Sequence, residues 1–218
     1  MSQVSIEELT LADEAERWAA LGFDVDGDVV RLATVDVRMA GRGAGRGLAG
    51  WSLAGAATSE LDGLPTSIVT PGSAAYAPEH PNGVVSIDHI VAVSPDFERT
   101  VGALVAGGLD LRRVREEPTP AGAPRQAFFR LGGEILEVVA EPDDVTEKNG
   151  GPDRPAFFWG LALLSSDIDR TAAALGEHAG EPRPAVQPGR RIATVRRSAG
   201  LSVPVAIITP RQQVGAST

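Results

Sequence analysis

Residues 86–93 read Ser-Ile-Asp-His-Ile-Val-Ala-Val, and residues 132–139 read Gly-Gly-Glu-Ile-Leu-Glu-Val-Val. The first run has the pattern of an apolar strand carrying His89, and the second that of a strand with the mid-strand carboxylate Glu137. Between them, Ser94-Pro95-Asp96 predicts the start of a helix, with a hydroxyl cap and a proline in the first turn. Two more strands are indicated before residue 132, so residues 85–142 are predicted to form a βαβββ module.

A shift of 71 residues superposes this module on the last third of the chain. Residues 156–210 are therefore predicted to be a second βαβββ module, and residues 1–57 a degenerate third one. Residues 58–84 are rich in Pro, Gly, Ser and Ala, which is typical of a linker, and residues 211–218 form a tail. The predicted fold class is α+β with tandem modules. The matched pairs are Ser94 with Ser165, Asp96 with Asp167, Arg99 with Arg170, Thr100 with Thr171, and Leu104 with Leu175.

The composition is that of an ordinary globular protein, since 43% of the 218 residues are hydrophobic and 22% are charged. The formal net charge of −9 argues against a nucleic-acid or anionic-membrane partner, because both require a basic face. Cysteine is absent, which excludes disulfides, thiolate metal sites and cysteine nucleophiles. The N-terminal residues lack the basic start and apolar run of a signal peptide, so a cytoplasmic location is expected.

The tandem modules, with Ile-Asp-His-Ile-Val on the first strand and Glu-Ile-Leu-Glu-Val-Val on the last, resemble the vicinal oxygen chelate superfamily. That superfamily includes glyoxalases, extradiol dioxygenases, epimerases and resistance proteins. The resemblance covers residues 86–210 and implies that two modules pair into a cupped mixed sheet, the glyoxalase/dioxygenase-like fold. It also implies a divalent metal (Zn, Fe, Mn or Ni), held by one side chain from the first and last strand of each module. His89 and Glu137 match the two ligand positions of the central module.

The second module lacks the matching ligands. The repeat places Gly160 opposite His89, and residues 201–209 contain no carboxylate, histidine or amide. Metal sites in enzymes usually take three or more protein ligands, so this set is incomplete. Three interpretations of the His89–Glu137 pair stay open. The two residues could be polar groups of a ligand cup, with Glu137 orienting His89 or acting as a base; ligands of a weak or shared metal site; or a buried structural pair.

The hairpin register predicts which other side chains share the face of Glu137. A two-residue turn at Gly132-Gly133 pairs Phe128 with Glu137, and paired residues point to the same side of a sheet. The same alternation in the second module assigns Trp159 to the core. The side chains on this face would line a pocket that is aromatic and rich in hydrogen-bond donors. Such a pocket suits a small carboxylate or a polarised carbonyl. The predicted ligand-binding residues are Gln126, Phe128, Arg130, Phe158 and Arg191.

These observations support three hypotheses of function. The first is a protein with an incomplete metal site that binds a small organic ligand, anionic or carbonyl-bearing, with His89 and Glu137 as candidate catalytic residues. The second is a metal-dependent lyase, isomerase or dioxygenase whose missing ligands come from the N-terminal third or a partner chain. The third is a non-catalytic interaction module, for example in a homodimer. The fold does not choose among them, because one scaffold supports unrelated activities.

Overall fold

The chain forms two mixed β-sheets, here described from a computed structural model that covers residues 3–72, 79–119 and 122–211. The N-terminal elements are β1 (Ser5–Leu11), α1 (Ala15–Ala20), β2 (Val29–Leu32), β3 (Val35–Met39), β4 (Leu48–Ala54) and β5 (Thr66–Val69). The elements of the central module and the helix after it are β6 (Val84–Ser94), α2 (Phe97–Ala106), β7 (Asp110–Arg115), β8 (Gln126–Leu131), β9 (Glu134–Ala140) and α3 (Asp143–Lys148). The last module contains β10 (Phe157–Ser165), α4 (Ile168–Leu175), β11 (Arg183–Pro184), β12 (Arg191–Thr194) and β13 (Val205–Ile208).

The two complete modules share the larger sheet. Within the described residues its strand order is β11-β12-β13-β10-β6-β9-β8-β7. Strand β6 runs parallel to β9, and β10 runs parallel to β13, while β6 and β10 pair antiparallel at the centre. Each module therefore places its first strand at the centre of the sheet and its outer hairpin at one side. This topology confirms the predicted α+β fold built from tandem modules.

Both module helices begin at an aspartate. The Asp96 carboxylate caps α2 by accepting a hydrogen bond from one backbone N–H of the first turn, and that of Asp167 caps α4 by accepting from two. The hydroxyl cap predicted at Ser94 is wrong, because the Ser94 Oγ atom instead lies 2.6 Å from Thr100 Oγ1. The matched hydroxyls of the second module make the same contact at 2.7 Å. The sequence repeat thus corresponds to a repeated packing of helix against strand.

The smaller sheet repeats the centre of the larger one in reduced form. Its order within the described residues is β2-β3-β1-β4-β5, with β1 parallel to β3 and antiparallel to β4. Strand β5 lies inside the segment 58–84 that was expected to be a linker, and it pairs parallel with β4. Leu61 and Leu64 of the same segment are buried in the core. These residues are therefore part of the packed fold.

The smaller sheet packs on the same side of the larger sheet as helices α2 and α4. The rings of Trp51 and Phe158 meet edge to face, with centroids 5.0 Å apart. Arg99 of α2 donates from Nε to Asp62 Oδ1 at 2.7 Å, which joins the two layers by an ion pair. This packing buries one face of β6 and leaves the opposite face for a cavity. Among the described residues, no helix is long and apolar enough to cross a membrane.

Candidate active site

A cavity of about 840 Å³ lies on the sheet face away from the helices. Its floor consists of rows of side chains that follow the cross-strand pairing. One row contains Arg113, Phe128, Glu137 and Val91. The next contains Arg130, Ile135 and His89. Five of the seven predicted site residues line this cavity, namely His89, Glu137, Gln126, Phe128 and Arg130.

His89 and Glu137 meet at the centre of the floor. The Nε2 atom of His89 lies 3.6 Å from Glu137 Oε2, which is longer than a hydrogen bond. Only 16% of the His89 side chain and 13% of the Glu137 side chain are exposed. The other carboxylate oxygen, Glu137 Oε1, accepts a hydrogen bond from the Gln126 amide. Two groups able to accept or give a proton therefore face the cavity side by side.

A β-bulge brings Asp88 onto the side of the sheet where His89 lies. His89 pairs with Ala162 and Ile87 pairs with Leu163, so Asp88 is an extra residue without a partner on β10. Adjacent strand residues normally point to opposite faces, and the bulge removes that alternation at this point. As a result, the Asp88 Oδ2 atom lies 2.8 Å from His89 Nδ1.

A buried arginine from the second module holds Asp88. The Arg190 side chain is 2% exposed, and its Nη2 and Nη1 atoms lie 2.5 Å and 3.2 Å from the two Asp88 oxygens. Burial by itself would raise the pKa of Asp88, but hydrogen bonds from His89 and Arg190, together with their charges, lower it to about 2. Asp88 is therefore a carboxylate that only accepts, so the proton of the shared hydrogen bond belongs to His89 Nδ1.

The second module contributes no metal ligand at the matching positions. The pairing of Ala162 with Ala206 corresponds to that of Val91 with Glu137, so alanine replaces the carboxylate. At Gly160, which corresponds to His89, an added Cβ atom would lie 2.8 Å from the carbonyl oxygen of Pro204. Among the described residues, no group of three or more His, Asp or Glu side chains is placed to hold a metal ion. One imidazole and one carboxylate do not fit the donor set of a resident catalytic metal.

Arg191 does not reach the cavity, contrary to the sequence prediction. Its guanidinium donates to both carboxylate oxygens of Asp169 at 2.6 Å and 2.9 Å, on an exposed surface. Ile192 pairs with Ile208, as Gln126 pairs with Val139 in the first module. The true register is therefore shifted by one residue from the predicted one, and a one-residue shift exchanges the two faces of a strand.

Phe158 and Trp159 also exchange their predicted places. The pairing of β10 with β6 is irregular between Phe158 and Gly160, which leaves Trp159 as an extra residue at a bulge. Trp159 is 54% exposed and lines the cavity, whereas Phe158 packs against Trp51. The predicted ligand-binding role of Phe158 is therefore not supported by its position, and Trp159 is the aromatic residue at the site.

Arginines of the edge strand β7 form one wall of the cavity. Arg113 pairs with Phe128, and Arg115 pairs with Gln126, which puts both on the cavity face. No carboxylate of the described residues lies within ion-pair distance of Arg113. Sequence reasoning missed this wall, although residues 111–115 read Leu-Arg-Arg-Val-Arg within the strand predicted before the hairpin. The cavity concentrates positive charge in a protein whose formal net charge is −9.

Comparison with solved structures shows a fold that this chain shares with other proteins. A xylose isomerase-like TIM barrel/4-hydroxyphenylpyruvate dioxygenase fusion protein superposes with a TM-score of 0.62 at 13% identity, over 98% of this chain and 50% of that chain. The present chain thus spans half the length of the fusion protein. Two methylmalonyl-CoA epimerases give lower TM-scores. The one from Mycobacterium tuberculosis gives 0.49 at 17% identity, over 62% of this chain and 94% of that chain. The one from Streptomyces coelicolor gives a TM-score of 0.46 at 21% identity, over 59% of this chain and 96% of that chain.

The class of protein is therefore defined by its fold alone, and the predicted fold is confirmed by the likeness to the fusion protein. No protein-family model matches the sequence, and no curated protein matches it. At identities this low the likeness shows the fold alone. Activity has to be argued from the side chains of this chain.

Proposed function

We propose that the cavity binds a small organic anion that carries a carbonyl group, and that His89 and Glu137 transfer a proton on it. The observation that carries the proposal is the 3.6 Å separation of His89 Nε2 and Glu137 Oε2 on the cavity floor. Each group is oriented by a hydrogen-bond partner: His89 by Asp88, and Glu137 by Gln126. Oriented acid and base groups of this kind are what proton abstraction requires.

The roles of the two groups follow from their hydrogen bonds. His89 Nδ1 carries the proton shared with Asp88, so whenever the ring is neutral its Nε2 atom presents a lone pair to the cavity. Nε2 would then remove a proton from a carbon next to the carbonyl of the ligand. Glu137, adjacent to it, would accept that proton from the ring or return one to the ligand. The electron pair left on that carbon moves onto the carbonyl oxygen as an enolate, until a proton is returned to the carbon.

The arginine wall supports an anionic ligand with two separate ends. Arg113 lies on β7, two strands away from Glu137 on β9. Two strand spacings amount to about 10 Å, which is longer than a simple carboxylate. A ligand whose anionic group meets Arg113 and Arg115 would pass over Phe128 before its carbonyl reaches His89. Bidentate pairing of arginine with a carboxylate or phosphate would fix this orientation.

Deuterium exchange tests the proposal directly. The probe is 4-acetylphenylacetate, which has a ketone and a carboxylate at opposite ends of an aromatic ring. Incubated in D₂O with the protein, it should lose the proton NMR signal of the methyl group next to the ketone. His89→Gln and Glu137→Gln should each slow this exchange by about a hundredfold or more, the usual contribution of a general acid or base. Arg170→Gln, a change at an exposed ion pair with Glu79, serves as the control.

The outcome separates catalysis from binding. Exchange that is equally fast with His89→Gln and with the native protein would refute the acid–base role. Binding of the probe without any exchange would refute the catalytic part of the proposal and leave a ligand-binding protein.

A further inference from the structure

We propose that Asp88 and Arg190 are positioning residues that fix the His89 ring with Nδ1–H turned toward Asp88 and Nε2 turned toward the cavity. This inference rests on the proposed function only for the reason why the ring should be oriented. The orientation itself is a property of the protein without ligand. In chain order Arg190 is far from the other two residues, since it follows Asp88 by 102 positions. The second module, which supplies no metal ligand, would thereby still contribute a residue to the site of the first.

Arg190 is committed entirely to protein partners. Its Nε atom donates to the carbonyl oxygen of Thr209 at 2.7 Å, just after β13. Its Nη1 atom lies 3.4 Å from the Gln187 side-chain oxygen, and both terminal nitrogens reach Asp88. A guanidinium is planar and has fixed donor directions, so these contacts leave the carboxylate of Asp88 one orientation. Arg190 is therefore placed to orient Asp88, whereas Arg113 and Arg115 are placed to meet a ligand.

The bulge at Asp88 allows the Asp88–Arg190 ion pair to contact His89. A regular strand would have turned Asp88 toward the helix side, where Ile87 and Ile90 are buried. The extra residue turns it instead toward the ring of His89 at 2.8 Å. Bulges of this kind commonly redirect a side chain beside an active site. A carboxylate behind an imidazole selects one of the two ring tautomers, as second partners of histidine generally do.

A second histidine of the same chain provides an internal contrast. His80 accepts the backbone N–H of Asp24 at its Nδ1 atom over 3.1 Å, and its Nε2 atom lies 3.0 Å from the carbonyl oxygen of Arg31. Its surroundings therefore require the Nε2–H tautomer, the opposite of the one inferred for His89. The two tautomers differ because Nδ1 of His80 faces a backbone N–H donor, whereas Nδ1 of His89 faces a carboxylate acceptor.

The experiment is long-range proton–nitrogen NMR of the imidazole rings, recorded at alkaline pH, where imidazole is neutral, and without any ligand. The native protein should show His89 as the Nδ1–H tautomer and His80 as the Nε2–H tautomer. Asp88→Asn should lower the ratio of Nδ1–H to Nε2–H at His89 by about tenfold or more, because a hydrogen bond to a charged group is lost. Arg190→Gln should lower it in the same direction, and Arg190→Lys should restore part of the difference.

A matched control separates positioning from stability. Asp62→Asn removes the carboxylate of another, partly buried ion pair, that with Arg99 on the helix side of the sheet, and should leave the His89 tautomer unchanged. If Arg190→Gln does not fold, the double variant Asp88→Asn with Arg190→Gln leaves no unpaired buried charge and gives the same readout.

The proposal is overturned if His89 is the Nε2–H tautomer in the native protein. It is equally overturned if the tautomer ratio is the same in Asp88→Asn as in the native protein, or if Asp62→Asn changes that ratio as much. None of these measurements involves the exchange reaction, so failure of the proposed function and failure of the positioning role give different results.

Discussion

Gly160 and the carbonyl oxygen of Pro204 lie so close that a Cβ atom on residue 160 would be 2.8 Å from that oxygen. Real Cβ contacts are not this short, so the backbone would have to move to admit any side chain. The position that corresponds to His89 in the second module therefore has no side chain to bind a metal, and the backbone of Pro204 leaves no space for one. We expect Gly160→His to fail to restore a metal site and Gly160→Ala to lower the free energy of unfolding by about 1–3 kcal/mol, the cost of overpacking.

Urea denaturation of Gly160→Ala measures this effect. Gly133→Ala is the matched control, because an added Cβ atom there meets nothing within 4 Å. Equal stability of the two variants would show that the contact with Pro204 relaxes at no cost.

The sequence was sufficient for the module repeat and for the site residues next to a tight turn. Ser94 and Ser165 lie 71 positions apart in the sequence and make the same hydroxyl contact in both modules. The turn at Gly132-Gly133 fixes the register of its hairpin, and strand alternation then places Phe128 and Glu137 on one face. These residues were predictable because they lie close to the turn in sequence and because the side chains of the two strands alternate strictly between the faces of the sheet.

The remaining site residues depend on features without a local sequence signal. Bulges at Asp88 and Trp159 each insert one residue, and a single inserted residue reverses the facing of its neighbours. Arg190 reaches Asp88 only because the two modules pair across the centre of the sheet. Strand β5 has four residues in a Pro- and Gly-rich segment, which is too short a run for alternation to be recognised.

The arginine wall predicts a charge-dependent affinity. Arg113→Gln and Arg115→Gln should each weaken binding of 4-acetylphenylacetate by about tenfold or more, since each removes a charge-assisted hydrogen bond. Isothermal titration calorimetry measures the affinity. Arg170→Gln again serves as the control, since its partner Glu79 lies away from the cavity. An affinity that does not change in either wall variant would place the anionic end of the ligand elsewhere.

The donor set predicts an activity that does not depend on metal. Dialysis against EDTA should change neither the exchange rate of the probe nor the midpoint of thermal unfolding, because His89 and Glu137 alone make a poor site for a resident ion. Metal analysis of the protein before and after dialysis accompanies the assay. Exchange that disappears on dialysis and returns with one equivalent of Zn²⁺ or Mn²⁺ would restore the metal-dependent hypothesis.

Glu134 predicts how the stability of the fold changes with pH. Its side chain is 4% exposed, beside the hairpin turn where Gly132 approaches Ser5 of the smaller sheet. Burial raises the pKa of Glu134 to about 7, against partial compensation by backbone N–H groups of Gly133 and Glu134 itself. The folded state therefore favours the neutral carboxyl, and this advantage is full below pH 4.5 and is lost as the pH rises through 7.

Glu134→Gln removes the charge while keeping the shape of the side chain, so its effect should depend on pH. At pH 8 we expect the variant to be more stable than the native protein by about 3 kcal/mol, which is the free-energy equivalent of the pKa difference. Below pH 4.5 the difference should vanish, because the native carboxyl is then neutral in both the folded and the unfolded state. Urea denaturation at the two pH values measures it, with the exposed Glu177→Gln as control. A stability difference that is the same at both pH values would mean that Glu134 is charged in the folded protein and solvated despite its burial.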